Sequence, residues 1–180
     1  MTSLALRRFT HRLATFADHS GDPAHIAPAA GRLLTELRDF DRLLDPAERA
    51  PDPRQYRQHI LHIDPCGRFS VVALVWLPGQ ETPIHDHVAW CASCVIEGAE
   101  YEQRFERAAP SELLPTECRI NEAGAVSVLP PGHDIHQVRC TGGARAVSLH
   151  VYGADISRLG SSIHITYDPR TVRPTSAPRT

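Results

Sequence analysis

The stretch GQETPIHDHVAWCASCVIEG, Gly79 to Gly98, decides how the chain is read. At its centre His85 and His87 stand one residue apart, with Cys91 four positions beyond His87. Residues i and i+2 of a strand share a face, so both imidazoles can be presented to one point. The preceding run RFSVVALVW, Arg68 to Trp76, is almost continuously apolar and reads as a buried strand that closes in the turn LPGQ. CASCVIEG, Cys91 to Gly98, reads as the next strand.

Downstream the pattern stays β. AEYEQRFER, Ala99 to Arg107, alternates, with Tyr101 and Phe105 as the candidate inward residues. GAVSVLPPG, Gly124 to Gly132, enters a Pro-Gly turn, followed by IHQVRC, a TGG turn and ARAVSLHVYG, Ala144 to Gly153. Short strands with frequent turns predict a closed antiparallel barrel or a sandwich.

Upstream, Leu6, Phe9, Leu13 and Phe16 recur at helical spacing, and Leu33, Leu37, Phe40 and Leu44 do the same. HSGDPAHIAP, His19 to Pro28, reads as the loop between these two amphipathic helices. The expected organisation is one domain over 1–180, with helices in 1–50 packed on a barrel over 55–168. A flexible Pro-rich tail is expected over 169–180.

The 180 residues are 42% hydrophobic with a net charge of −2, which gives no basis for a nucleic-acid surface or a polybasic membrane patch. Arg7, Arg8 and Arg12 interrupt the first apolar pattern, so it does not read as a secretory signal, and no run has the length of a membrane span. Five cysteines, an odd number, together with that start point to a reducing, cytoplasmic setting. Cys91 and Cys94 form a C-x-x-C, the spacing of zinc or redox pairs, yet positions three apart on a regular strand face opposite sides. Cys66, Cys118 and Cys140 read as packing residues.

A third histidine, His136, lies on a different strand from His85 and His87, in PPGHDIHQV. Three neutral imidazoles converging in a barrel suit a first-row metal such as Fe, Zn, Cu or Ni. An H-x-H pair alone is a weak signal, because histidine pairs are common on surfaces and in cores. The surrounding spacing strengthens it: G-x5-H-x-H-x3-C-x6-G over Gly79–Gly98 and G-x5-P-x-G-x3-H over Gly124–His136. These resemble the two motifs of the cupin superfamily, which implies a mainly β fold, a small double-sheet β-barrel with metal ligands on its inner face. Cupins usually carry a glutamate four residues after the second histidine; here that residue is Cys91. His133 and His136 compete for the third position, and His136 is preferred because IHQV, Ile135 to Val138, resembles the third-ligand segment of one branch.

That branch is the thiol dioxygenases, the cysteine dioxygenase family. The resemblance runs from about Tyr56 to Tyr152 and rests on the Phe69–Trp76 strand leading into IHDH, on the thiol at the lost glutamate and on SLHVY, Ser148 to Tyr152. It implies an Fe(II) site held by His85, His87 and His136. The implied substrates are O2 and a small thiol carboxylate, L-cysteine or 3-mercaptopropionate, with a sulfinate as product. Ser148, His150 and Tyr152 alternate with Leu149 and Val151, so the polar three share a face. If that face looks into the barrel, a Ser-His-Tyr relay satisfies its polar groups; the competing reading is a strand with a solvated polar face. The resemblance gives Tyr152 a place beside the iron. In some family members a cysteine at the Cys91 position forms a thioether with the matching tyrosine; others have glycine there and no crosslink.

Cysteine-specific members hold the substrate carboxylate with an arginine in a Y-x-R element. YRQH, Tyr56 to His59, has Gln58 in that place, which resembles the mercaptopropionate-type branch. The partner arginine of that branch follows HVYG, and Arg158 in DISRLGSS is the nearest. A solvated loop charge is the competing reading of Arg158. The competing function class is a non-catalytic or differently metallated cupin, a metal-dependent sensor or an isomerase-like enzyme. The missing glutamate and SLHVY favour the dioxygenase.

Overall fold

The computed structural model describes residues 3–130 and 134–173. Two helices come first, α1 (Leu4–Ser20) and α2 (Pro23–Thr35), followed by short 3-10 turns at Phe40–Arg42 and Pro46–Arg49. Ten strands are described after them: β1 (Arg57–Ile63), β2 (Ser70–Trp76), β3 (Ile84–His87), β4 (Cys91–Glu97), β5 (Ala99–Ala109), β6 (Glu112–Glu122), β7 (Val126–Leu129), β8 (His136–Thr141), β9 (Ala146–Tyr152) and β10 (Ile163–Tyr167), with helix α3 (Ile156–Leu159) between the last two. They form two five-stranded sheets of order β1-β2-β9-β4-β7 and β10-β3-β8-β5-β6, antiparallel between all neighbouring strands. The mainly β double-sheet architecture expected from the sequence is the one the chain adopts.

Period two explains why β2 and β9 read so differently yet lie side by side. In β2, Val71, Ala73 and Val75 face a core shared with the helices, while Val72, Leu74 and Trp76 face the second core, inside the barrel. In β9, Val147, Leu149 and Val151 pack toward the helices. Ser148, His150 and Tyr152 are therefore turned inward, and all three are buried. The solvated polar face is not formed, because α1 and α2 cover the opposite side of this sheet with Leu6, Phe9, Leu13, Ile26, Ala30 and Leu34. Leaving that apolar face bare would expose a large contiguous patch to water. Gly31 of α2 lies so close to Val128 of β7 that a Cβ there would collide with the valine side chain.

Several local expectations are corrected. His19 to Pro28 is not a loop: α1 runs to Ser20, Gly21 caps it at φ 60°, Asp22 caps α2 by accepting from the Ala24 N–H, and Pro23 occupies the first turn. Gly, Asp and Pro in that order are a stop, a cap and a start, compressed into a two-residue connection. Leu37, Phe40 and Leu44 do not continue a helix, because α2 ends at Thr35, although Leu37 and Leu44 still bury their side chains in the helix-side core. On β5 the buried residues are Glu100, Glu102 and Phe105; a register irregularity between Gln103 and Phe105 shifts the inward parity, and Tyr101 instead faces outward under the Arg139 guanidinium, 4.3 Å from its ring centroid. Cys66 and Cys118 are exposed rather than packed; Cys140 is buried. The segment expected as a flexible tail opens with a 3-10 turn at Pro169–Thr171, and Arg173 donates its backbone N–H to Leu113, whereas 174–180 lie outside the described residues.

Candidate metal centre

β3 and β8 bring the three histidines together. His85 and His87 share a face of β3, and His136 of β8 is the direct cross-strand partner of His85. Ring centroids lie 4.7–5.1 Å apart, and one ligating nitrogen from each histidine falls within 4.8 Å of the others. All three side chains are buried in the barrel. His133 lies outside the described residues.

Each imidazole is tied at Nδ1. His85 Nδ1 bonds the Pro83 carbonyl at 2.9 Å, His87 Nδ1 the Asp134 carboxylate at 2.6 Å and His136 Nδ1 the Glu102 carboxylate at 3.0 Å. An Nδ1–H that donates in this way fixes the tautomer, so the Nε2 lone pair is the one left for a ligand. His136 Nε2 is buried and has no hydrogen-bond partner, the sign of a polar atom aimed at something else. Burial, reinforced by the neighbouring imidazoles, pushes His85 down to about 2, and burial also lowers His136, so both lone pairs are available at neutral pH. Three imidazole nitrogen donors, two of them backed by carboxylates, fit a first-row divalent metal.

Glu102 and Asp134 were not among the residues singled out in the sequence. Glu102 also accepts from Arg104 Nε at 3.1 Å, Asn121 Nδ2 at 3.2 Å and Ser127 Oγ at 3.5 Å. Burial acts to raise its carboxyl, but the His136 bond and the Arg104 charge outweigh that and hold it at about 2. Asp134 additionally accepts the His87 backbone N–H at 3.2 Å. A carboxylate two residues before a candidate ligand, as in HDIH, is the one signal in the sequence that could have found Asp134.

Beside the histidines, Tyr152 lies with its ring 5.6 Å from that of His87. Ser148 Oγ is 2.9 Å from His150 Nε2, and Tyr152 Oη is 3.4 Å from His150 Nδ1. The polar face of β9 is thus a connected chain. Burial pushes His150 down to about 3 and raises both the Tyr152 phenol and the Cys91 thiol. Cys91 pairs directly across from Tyr152, with its sulfur 3.7 Å from His150 Nδ1. Cys94 belongs to the helix-side core and Cys91 to the barrel interior, so the two thiols do not converge.

The histidines, Tyr152 and His150 line a narrow cavity with Leu74, Trp76, Thr82, Val138, Tyr56 and Gln58. Gln58 is exposed on β1 and sits at the mouth, where it also lines an open surface recess with Tyr56, Arg57 and Ser161. Arg158 is exposed on α3 and lines neither.

Residues 49–161 match the family described as Cysteine dioxygenase type I. The chain belongs to that family. Among solved structures, an oxalate oxidase superposes with a TM-score of 0.52 at 17% identity, over 74% of this chain and 66% of the other. A Thermus thermophilus protein gives 0.49 at 20% identity, over 66% and 97% of the two chains, and a cupin-like Thermotoga maritima protein 0.44 at 20%, over 59% and 76%. At 17% identity the likeness to the oxalate oxidase concerns the fold alone. As a cysteine dioxygenase type I family member the chain has three histidines positioned for a metal, and Cys91 is buried in the barrel interior.

Proposed function

We propose that the protein is a non-haem Fe(II) thiol dioxygenase, adding both atoms of O2 to the sulfur of a small thiol carboxylate to give its sulfinate. The observation that carries this reading is the donor set: three buried imidazoles tied at Nδ1, no carboxylate among the converging atoms of the described residues, and a tyrosine phenol alongside. His85, His87 and His136 would hold the iron, which when bound supplies acidification of the substrate thiol and a redox centre for O2.

The other roles fall to the chain's own groups. Tyr152, stiffened by His150 and Ser148, offers a phenol to the substrate or to oxygen. Leu74, Trp76 and Val138 make an apolar wall that excludes water. Gln58 at the mouth hydrogen-bonds the substrate carboxylate, with Arg57 beside it on the recess and Arg158 as the arginine that the family pattern suggests. Because Gln58 is neutral, 3-mercaptopropionate should be accepted at least as well as L-cysteine. The register of Cys91 against Tyr152 supports a thioether between them.

The test is metal analysis of protein purified without added metal, combined with oxygen uptake and sulfinate detection over a panel of thiols. Near-stoichiometric iron and one O2 consumed per sulfinate support the reading. A different resident metal, or iron without turnover of any thiol, favours a differently metallated or non-catalytic cupin.

A further inference from the structure

Glu100 of β5 takes no part in the site described so far, yet it is buried in the barrel. It is 4% exposed, one carboxyl oxygen has no partner, and the carboxyl lies beside Ser148 and Trp76. Trp76 Nε1 in turn donates to Ser148 Oγ at 3.5 Å. Glu100 therefore stands at the far end of the chain Ser148–His150–Tyr152, on the side away from the cavity. We propose that Glu100 is a positioning residue that sets the direction of the hydrogen bonds along this chain, and thereby decides whether the Tyr152 phenol donates into the metal cavity.

The donors and acceptors allow two complete arrangements. With Glu100 protonated, its O–H donates to Ser148 Oγ, the Ser148 O–H donates to His150 Nε2, and His150 Nδ1–H donates to the Tyr152 oxygen. The phenol proton is then free to point into the cavity. With Glu100 ionised, the Ser148 O–H turns to the carboxylate, His150 donates from Nε2 to Ser148, and its Nδ1 lone pair accepts the Tyr152 O–H. The phenol proton is now spent inside the chain. Trp76 donates to Ser148 in both arrangements, and His150 stays neutral in both, so one proton at Glu100 reverses three hydrogen bonds.

Among the described residues, the groups facing Glu100 give it no cation. They are Glu102 on its own strand, Trp76 on β2, Cys91 and Cys94 on β4, Asn121 on β6, Cys140 on β8, and Ser148 and Tyr152 on β9. An ionised carboxylate with one empty oxygen is costly in such surroundings. Burial, with the Glu102 charge adding to it against the opposing Ser148 bond, pushes Glu100 up to about 7. The switch therefore works near neutral pH, protonated and donor-oriented on the acid side.

The effect on turnover rests on the dioxygenase reading; the hydrogen-bond reversal does not. The experiment takes the full-length protein loaded with diamagnetic Zn(II) and follows the His150 ring nitrogens by 15N NMR from about pH 6 to about pH 8. His150 is expected to pass from the Nδ1–H to the Nε2–H tautomer in wild type and to keep one tautomer balance throughout in Glu100→Gln. In the iron-loaded protein, kcat/KM should fall about tenfold over that range in wild type, the ratio for a single group titrating near 7. It should change less than about twofold in the variant, once the substrate's own ionisation, common to both, is divided out. A His150 tautomer that does not respond to pH in wild type, or the same response in Glu100→Gln, overturns the proposal. An inactive preparation with the tautomer change intact refutes the dioxygenase reading and leaves the switch standing.

Discussion

Asp134 offers the sharpest perturbation of the metal site. Its side chain is fully buried and holds His87 twice, through Nδ1 at 2.6 Å and through the backbone N–H at 3.2 Å. Asp134→Asn keeps an acceptor oxygen and nearly the same volume but removes the charge, which makes such a bond roughly twice as strong as its neutral counterpart. The lone pair on His87 Nε2 loses basicity in proportion. Replacing a group that supports a ligating histidine typically weakens metal binding by about 10–100-fold, which corresponds to roughly 1.4–2.7 kcal/mol. The metal-free protein should lose less, about 1 kcal/mol, because one neutral hydrogen bond survives. The assay is competition for Fe(II) and Zn(II) against a chromophoric chelator, run beside urea unfolding of the metal-free protein. If Asp134→Asn binds both metals as wild type does, the carboxylate does not support the ligand. If affinity and metal-free stability fall by equal amounts, the effect is general destabilisation rather than support of His87.

Tyr152→Phe should retain the metal and slow sulfinate formation, and wild-type turnover would remove the phenol from the reaction. Peptide mass spectrometry of the same preparations should find the Cys91 and Tyr152 peptides joined with loss of two hydrogens; unlinked peptides in turned-over enzyme would exclude the thioether. Gln58→Arg should move kcat/KM toward L-cysteine over 3-mercaptopropionate by about 1–3 kcal/mol, the scale of a charged hydrogen bond, and an unchanged ratio would show that Gln58 does not read the carboxylate. Glu102 is held at about 2, below its ordinary value, so it contributes stability that is present above the ordinary carboxylate range and lost as pH falls toward 2. Unfolding free energy should therefore drop by up to roughly 3 kcal/mol more between about pH 5 and pH 2 in wild type than in Glu102→Gln; parallel curves would contradict this.

What the sequence disclosed follows from where its physics is local. His85 and His87 announce themselves because period two puts neighbours-but-one on one face, and the alternation of SLHVY shows a polar face on β9 in the same way. Which way that face turned depended on α1 and α2 covering the other, a fact of packing between segments far apart in the chain. The helix pair was half legible: the apolar spacing of Leu6, Phe9 and Leu13 marked α1, but the density of Gly and Pro in His19–Pro28 hid a connection of two residues. The two buried glutamates of β5, Glu100 and Glu102, were invisible for a different reason. A carboxylate is buried only where distant strands supply partners, as His136, Asn121 and Ser127 do for Glu102, and within AEYEQRFER the aromatic residues are the more obvious inward candidates. The bulge before Phe105 then gave that strand two parities, which a single alternating pattern cannot express.

Strand β9 carries two sets of side chains with separate constraints. Its odd positions, Val147, Leu149 and Val151, serve the packing of the helices, while its even positions serve the cavity. Substitutions on one register can accumulate without disturbing the other, so the chemistry of the cavity can drift while the helix-facing core stays fixed. Insertions and deletions have no such freedom. A slip of one residue exchanges the sets, placing Leu149 and Val151 in the cavity and pressing His150 against the helices. The length of β9 between Ala146 and Tyr152 is therefore the more conservative property of this strand, and the identity of any single residue on it the less.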